Sequence, residues 1–294
     1  MPKLIVIGSS NTDMVVKTNR FPQPGETIVG GEFFLFPGGK GANQAVAAAR
    51  LGGEVSFVAR VGDDLFGQQA RDGFIKEGID VTHVTTDEDA ASGTALITIN
   101  SEGENSIVVA PGANATLLPN HLDRVDFTSA DIVLAQLETP LETILAAARH
   151  AKGRFILNPA PATTLPAEVY NGLYAITPNE TETKLLTGIL PTDLSTCDLA
   201  AKTFQERGVQ HVVITLGAKG CYYSGPEGTH QIAAGKVQPS DTTAAGDVFN
   251  GALAVALAES QPWYDALEFA VRAATISVTR MGAQPSAPFR KELS

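Results

Sequence analysis

Short apolar runs closed by turn residues recur along the chain, at 4–7, 55–61, 131–134, 155–157, 174–177 and 211–216. The first ends at Gly8, which suits a buried strand running into a turn. Between these runs, apolar positions return at three- and four-residue intervals, predicting helices over 41–51, 65–77, 141–151, 180–186 and 199–207. Two longer Ala-rich helical patterns follow near 244–260 and 263–281. Strands alternating with helices require crossover connections. The expected fold is therefore α/β, a mostly parallel central sheet with helices on both faces. No internal repeat or low-complexity tract interrupts the pattern, so a single α/β domain over 1–294 is the economical expectation.

Two regions carry a different period. Residues 14–17 with 27–36, and 94–100 with 105–110, alternate apolar and polar positions. The second pair is joined by Ser101-Glu102-Gly103-Glu104, a polar hairpin-like turn. Such strands suit a small sheet with one open face, drawn from about 13–36 and 93–110. It would serve as a lid over the strand carboxyl ends, where α/β enzymes bind ligands. An edge extension of the main sheet is the other reading.

Composition narrows the chemistry. The 294 residues carry a formal charge of -11 with 44% hydrophobic residues, so a sizeable core is available and nothing draws the chain to nucleic acid or an anionic membrane. A polyanionic ligand would need local devices: backbone amides, a lysine or two, a metal ion. Cys197 and Cys221 are too few and too far apart for a disulfide scaffold or a zinc site, and are expected as buried free thiols. The apolar run at the N-terminus is too short for a signal peptide, and no stretch approaches the ~20 apolar residues of a membrane helix. A cytoplasmic location follows as an expectation.

Familiar nucleotide signatures are absent. Gly39-Lys40 is followed by Gly41, which breaks the P-loop pattern, and no GxGxxG follows the first strand. The most informative segment is Asp241-Thr242-Thr243-Ala244-Ala245-Gly246-Asp247, which leads into a strong helical pattern. Small residues at a helix N-terminus leave free N–H groups open to an anion. A carboxylate in that first turn would repel phosphate, but it suits a general base taking a proton from an attacking hydroxyl. The alternative is that Asp241 or Thr243 caps the helix and Asp247 complements its dipole. A second cluster, Gly38-Gly39-Lys40-Gly41-Ala42-Asn43, also enters a helix. Its glycines suggest close backbone approach to a ligand, or a plain turn.

Taken together, "GGKGANQA" at 38–45 and "DTTAAGD" at 241–247 resemble the two signatures of the PfkB-type (ribokinase-like) carbohydrate kinases. The resemblance extends to "GSSNTD" at 8–13, "VGDDLFG" at 61–67, "TPNETE" at 177–182, "TLGAKG" at 215–220 and "TRMGAQPS" at 279–286. It implies ATP-dependent phosphorylation of D-ribose at its 5-hydroxyl, with Mg²⁺ on the nucleotide and a K⁺-type activator. Asp247 would be the catalytic base, and the amides of Ala244, Ala245, Gly246 and Asp247 the anion hole. The sugar set would be Asn11, Thr12, Asp13, Gly39, Lys40, Gly41, Ala42, Asn43 and Glu138. Asn179, Thr215, Leu216, Gly217, Ala218, Lys219 and Gly220 would serve the nucleotide, and Glu182 its Mg²⁺. Asp241, Thr243, Ser277, Arg280, Gly282 and Ser286 would form the monovalent-cation site, largely through main-chain oxygens.

One position departs from the family. Where Asn or His often stands beside adenine, this chain has Val271, which alters the nucleobase contacts and leaves the phosphoryl chemistry untouched. The resemblance also implies a homodimer formed through the lids. The competing readings are a same-fold kinase for another unphosphorylated sugar or a nucleoside, and a non-catalytic sugar-binding regulator. A phosphorylated substrate is disfavoured because the sugar set lacks a cluster of arginines.

Overall fold

The structure is a computed structural model that describes residues 1–151 and 154–293; Lys152, Gly153 and Ser294 lie outside the described residues. The chain opens with β1 (Lys3–Ile7), β2 (Asn11–Lys17) and β3 (Glu32–Gly38), then α1 (Lys40–Arg50), β4 (Glu54–Gly62), α2 (Leu65–Lys76) and β5 (Val84–Asp87). β6 (Gly93–Ile99) and β7 (Asn105–Ala110) follow, then β8 (Ile132–Ala135), α3 (Leu141–His150), β9 (Phe155–Leu157) and β10 (Ala175–Ile176). The remainder is α4 (Glu180–Thr187), α5 (Leu194–Glu206), β11 (His211–Thr215), β12 (Cys221–Gly225), β13 (Gly228–Ile232), α6 (Ala245–Ala258) and α7 (Trp263–Ser277).

Among the described residues the strands form a nine-stranded sheet, ordered β13-β12-β11-β10-β9-β8-β1-β4-β5, and a separate four-stranded sheet, β3-β2-β6-β7. The large sheet is parallel from β11 through β5; β12 and β13 add an antiparallel hairpin at one edge. Alternation along β1 shows why both faces are covered. Leu4 and Val6 join a core with residues of α1, α6 and α7, whereas Ile5 and Ile7 join a second core with residues of α3 and α5. The small sheet stands apart from the large one, so the edge-extension reading fails.

Several element boundaries differ from the sequence pattern. α5 begins at Leu194 rather than 199, because Asp193 accepts from the Thr196 amide and caps the helix earlier. α7 stops at Ser277 rather than 281. β3 starts only at Glu32, leaving residues 27–31 outside the strand. The hairpin of β12 and β13, and the short β5, carried no strong alternation and were not anticipated.

The strand order reverses beside β1. From there β4 and β5 build outward on one side and β8 to β11 on the other. Such a switch point opens a crevice at the strand carboxyl ends. Gly8 and Ser9 follow β1, Gln136 and Glu138 follow β8, Asn158 follows β9, Thr177 and Asn179 follow β10, and Gly217 follows β11.

Candidate active site

α6 starts in an unusual way. Its N-cap is Ala244, held at φ 59° in the left-handed region, and no side chain caps the helix. The capping alternative is therefore overturned: Asp241 Oδ1 accepts from the Thr243 amide and Oδ2 from the Gly282 amide, both 2.9 Å. The N–H groups of Gly246 and Asp247 meet no acceptor among the described residues. A Cβ on Gly246 would have nothing within 4 Å, so the first turn faces open space. Unpaired amides beside an open volume are what an anionic group needs.

Asp247 is buried at the other side of this turn. Its Oδ2 accepts from Asn43 Nδ2 at 2.9 Å and its Oδ1 from Gln44 Nε2 at 3.0 Å. Burial pushes its pKa up, while Lys40, Asn43 and Gln44 work in the opposite direction. Asn43 Oδ1 is buried without a hydrogen-bond partner, an acceptor waiting for a donor such as a hydroxyl. Lys40 is held above its ordinary value, chiefly by Asp247. Asp13 is raised to about 6 by burial first, then by Glu138 and Asp247, with Lys40 opposing. One lysine thus sits among carboxylates whose charges it only partly offsets.

Gly39 and Gly41 make room for the protein's own backbone, whereas a Cβ on Gly38 would meet the Asp13 carboxylate. A Cβ on Gly41 would fall 2.5 Å from the Ser9 nitrogen, and one on Gly39, where φ is 88°, 2.7 Å from the Asn11 nitrogen. Gly39 and Gly41 thereby let α1 press against the segment after β1. Glu138 braces the same junction, with Oε2 accepting from Ser9 Oγ at 2.5 Å and from the Lys40 amide at 3.0 Å. Two members of the expected sugar set point elsewhere. Ala42 is fully buried in the core, its amide donating to the Ser9 carbonyl. Thr12 lines a separate cavity of about 320 Å³ with Phe36, Phe66 and Gln284, and Asn11 borders the same cavity. Asn11 is buried and accepts from Asn114 Nδ2 at 2.7 Å.

A cleft of about 380 Å³ runs from the start of α6 toward α7. Asn179, Thr215, Gly217, Ala218, Gly220 and Gly246 line it together. Leu216 is packed into the core behind the loop, and Lys219 is exposed and outside the lining. Val271, expected beside the nucleobase, lines the cleft too, and Phe249, Ala274 and Val278 complete an apolar wall that motif reading missed, because only the helix packing brings them there. Arg272 instead donates to the Leu293 carbonyl.

The residues of the expected metal sites fit limited roles. Among the described residues no group of three or more His, Cys, Asp or Glu side chains gathers to hold a metal ion. Mg²⁺ on a nucleotide needs only one or two carboxylates plus phosphates and water. Glu182 meets that need as a buried carboxylate whose pKa burial raises, held by the Asn179 amide at 2.9 Å and by Asn179 Nδ2 at 3.0 Å. For the monovalent cation, the Asp241–Gly282 bond ties loop 241–243 to segment 277–286. Thr243 lies in that loop, Ser277 and Ser286 are buried, and Arg280 turns its charge to Glu292 at 2.5 Å.

Sequence reading also passed over the second layer of polar groups under Asp247. Gln44, Gln136, Asn158, Thr177 and Asn250 are all buried and hydrogen-bonded in series. Gln44 stands inside a recognised motif, which was the one signal available.

Comparison with known proteins agrees with this arrangement. The chain is 44% identical to a ribokinase of Haemophilus influenzae over 98% of this chain and 96% of that protein. It is 36% identical to a deoxyribokinase of Salmonella typhi over 97% of this chain and 95% of that one. The solved structure of Arabidopsis thaliana ribokinase complexed with ribose and ATP matches with a TM-score of 0.93 at 34% identity, covering 99% of this chain and 97% of the other. The pfkB family carbohydrate kinase model matches residues 1–290. With an open helix N-terminus, a buried aspartate beside it and the family match over nearly its whole length, the chain belongs to the pfkB family of carbohydrate kinases.

Proposed function

We propose that the protein transfers the γ-phosphoryl group of ATP to the 5-hydroxyl of D-ribose, giving D-ribose 5-phosphate and ADP. The observation that carries this reading is the buried Asp247 carboxylate, held by Asn43 and Gln44 beside amides with no partner of their own. The relative in the Arabidopsis structure is complexed with ribose and ATP, and the ribokinase of Haemophilus is the most similar of the relatives described above.

In this mechanism Asp247 accepts the proton as the hydroxyl oxygen attacks phosphorus, and the unpaired Gly246 and Asp247 amides receive the developing charge. Asp13, Lys40 and Asn43 hold the remaining hydroxyls. The nucleotide lies in the cleft toward α7, with its base against the Val271 wall. Glu182 would hold Mg²⁺, which when bound neutralises phosphate charge. Asp241 and its neighbours would hold K⁺ and so support the loop that carries the amides.

The four-stranded sheet acts as a lid that excludes water and limits ATP hydrolysis. β7 is exposed along all six residues, including Ile107, Val108 and Val109. An uncovered apolar edge strand of this kind supports pairing of two lids in a homodimer. The buried free thiols of Cys197 and Cys221 favour a cytoplasmic setting, and among the described residues no helix is long and apolar enough to cross a membrane.

Release of ADP from ATP and Mg²⁺ in K⁺ buffer, measured across a sugar panel, tests the substrate. D-ribose should give the highest kcat/KM. A higher value for deoxyribose would move the protein to the second reading, which the deoxyribokinase likeness favours. Asp247→Asn should lower turnover at least ~10²-fold while sugar and ATP still bind.

A further inference from the structure

The amides beneath Asp247 form a directed chain. Gln136 Nε2 donates to Gln44 Oε1 at 2.6 Å, and Gln44 Nε2 then donates to Asp247 Oδ1 at 3.0 Å and to Asn158 Oδ1 at 3.1 Å. Asn158 Nδ2 donates to the Thr177 carbonyl at 3.1 Å, and Thr177 Oγ1 donates to Asn250 Oδ1 at 2.6 Å. Asn250 Nδ2 closes the path on the Gly246 carbonyl at 2.8 Å. Both ends therefore reach the first turn of α6, one at the carboxylate and one at the backbone beneath the free amides.

A lone glutamine beside a carboxylate has two orientations, and only one presents its N–H. Here Gln136 and Asn158 favour one of them: the Gln136 donor meets the Gln44 oxygen, and Asn158 Oδ1 accepts from the Gln44 nitrogen. The choice has a cost: Gln136 Oε1 is itself buried with no hydrogen-bond partner, a state proteins avoid. Room for that oxygen exists only because residue 8 is glycine, where a Cβ would fall 2.1 Å from it. An unsatisfied buried acceptor, kept so that its donor faces one neighbour, points to orientation of Gln44 rather than to packing.

We propose that Gln44 is a positioning residue for the general base, its orientation set by Gln136 together with Asn158, and that it holds the Asp247 carboxylate ionised and aimed at the acceptor alcohol. This rests on the reading of Asp247 as the base. An amide donor is satisfied only by the ionised carboxylate, so its removal favours the protonated form, which cannot accept the alcohol proton. Together with Asn43, Gln44 also leaves the carboxylate no freedom to rotate. Gln44 makes no contact with substrate in this scheme; it acts through Asp247.

The test is the pH profile of kcat with saturating sugar and ATP for wild type, Gln44→Met, Gln136→Met and Asp247→Asn, at a temperature where each is folded by circular dichroism. Loss of one charge-assisted donor should move the acid limb of Gln44→Met upward by about one pH unit. KM for ATP should stay within twofold. Gln136→Met should move the limb in the same direction, although it leaves Gln44 in place. A loss of turnover that is even across pH, or an unmoved limb, overturns the proposal. Should Gln44→Met not fold, the limb of Gln136→Met decides alone. Asp247→Asn separates the two claims. Near-normal turnover there removes the base itself, whereas a hundredfold loss there with an unmoved limb in Gln44→Met removes only the positioning role.

Discussion

Replacing Gly246 with alanine separates stability from catalysis at the phosphate site. In the ligand-free protein the new methyl would have nothing within 4 Å, so it brings no clash. Alanine is favoured over glycine in a helix by about 0.5–1 kcal/mol, and a protein of this size gains roughly 1–2 °C in midpoint from such a change. The same methyl, however, stands in the open volume before the first-turn amides. A phosphoryl oxygen must come within about 2.7–3.1 Å of those donors, and loss of one such donor typically costs ~10²–10³ in kcat. Gly246→Ala should therefore melt at or slightly above the wild-type temperature while kcat falls about 10²-fold. KM for the sugar should change little, because Asn43, Lys40 and Asp13 are untouched. Calorimetry and a coupled ADP assay measure the two quantities on one preparation. Turnover and ATP KM within twofold of wild type would refute the placement of the phosphoryl group at this turn.

Gly41→Ala should behave in the opposite way: its Cβ would sit 2.5 Å from the Ser9 nitrogen, so overpacking should cost about 1–3 kcal/mol and raise the sugar KM as α1 shifts. Thermal denaturation and sugar titration check both effects. Asp13 loses its charge as pH falls through about 6, so kcat/KM for the sugar should decline below that pH. An Asp13→Asn variant should show a flatter profile, at a lower plateau. His211 is buried among Tyr174, Tyr223 and Trp263, and burial holds its pKa down to about 4. Between about 6.5 and 4 the unfolded chain binds a proton that the folded protein refuses, so stability falls as pH drops through that window. His211→Phe should lose less of its midpoint between pH 7 and 4.5 than wild type.

The large sheet and most helices were legible along the chain because each strand is a short apolar run and each helix repeats every three or four residues. Misplaced boundaries came from local chemistry that periodicity does not register, such as the Asp193 cap that starts α5 early. The hairpin of β12 and β13 escaped because its strands are short and neither forms a continuous apolar run. In the site, Asp247, Lys40 and Asn43 were readable from two motifs. Their purpose was clearer than that of other motif residues: Ala42 in the same motif as Lys40, and Thr12 and Leu216 in the segments 8–13 and 215–220, face the core or another cavity.

Chain order alone specified an α/β layering, a second sheet of different period and two small-residue segments entering helices, because hydrophobic period and turn chemistry act over a few residues. Only folding decided which of those segments meet. Asp247 lies 203 positions from Gln44, and Gln136 lies 92 from it, so their hydrogen bonds exist solely because the sheet order reverses beside β1 and α6 packs against α1. Burial at that junction is also what raises the carboxylates of Asp13 and Asp247, since desolvation belongs to a place in the fold and not to a residue type.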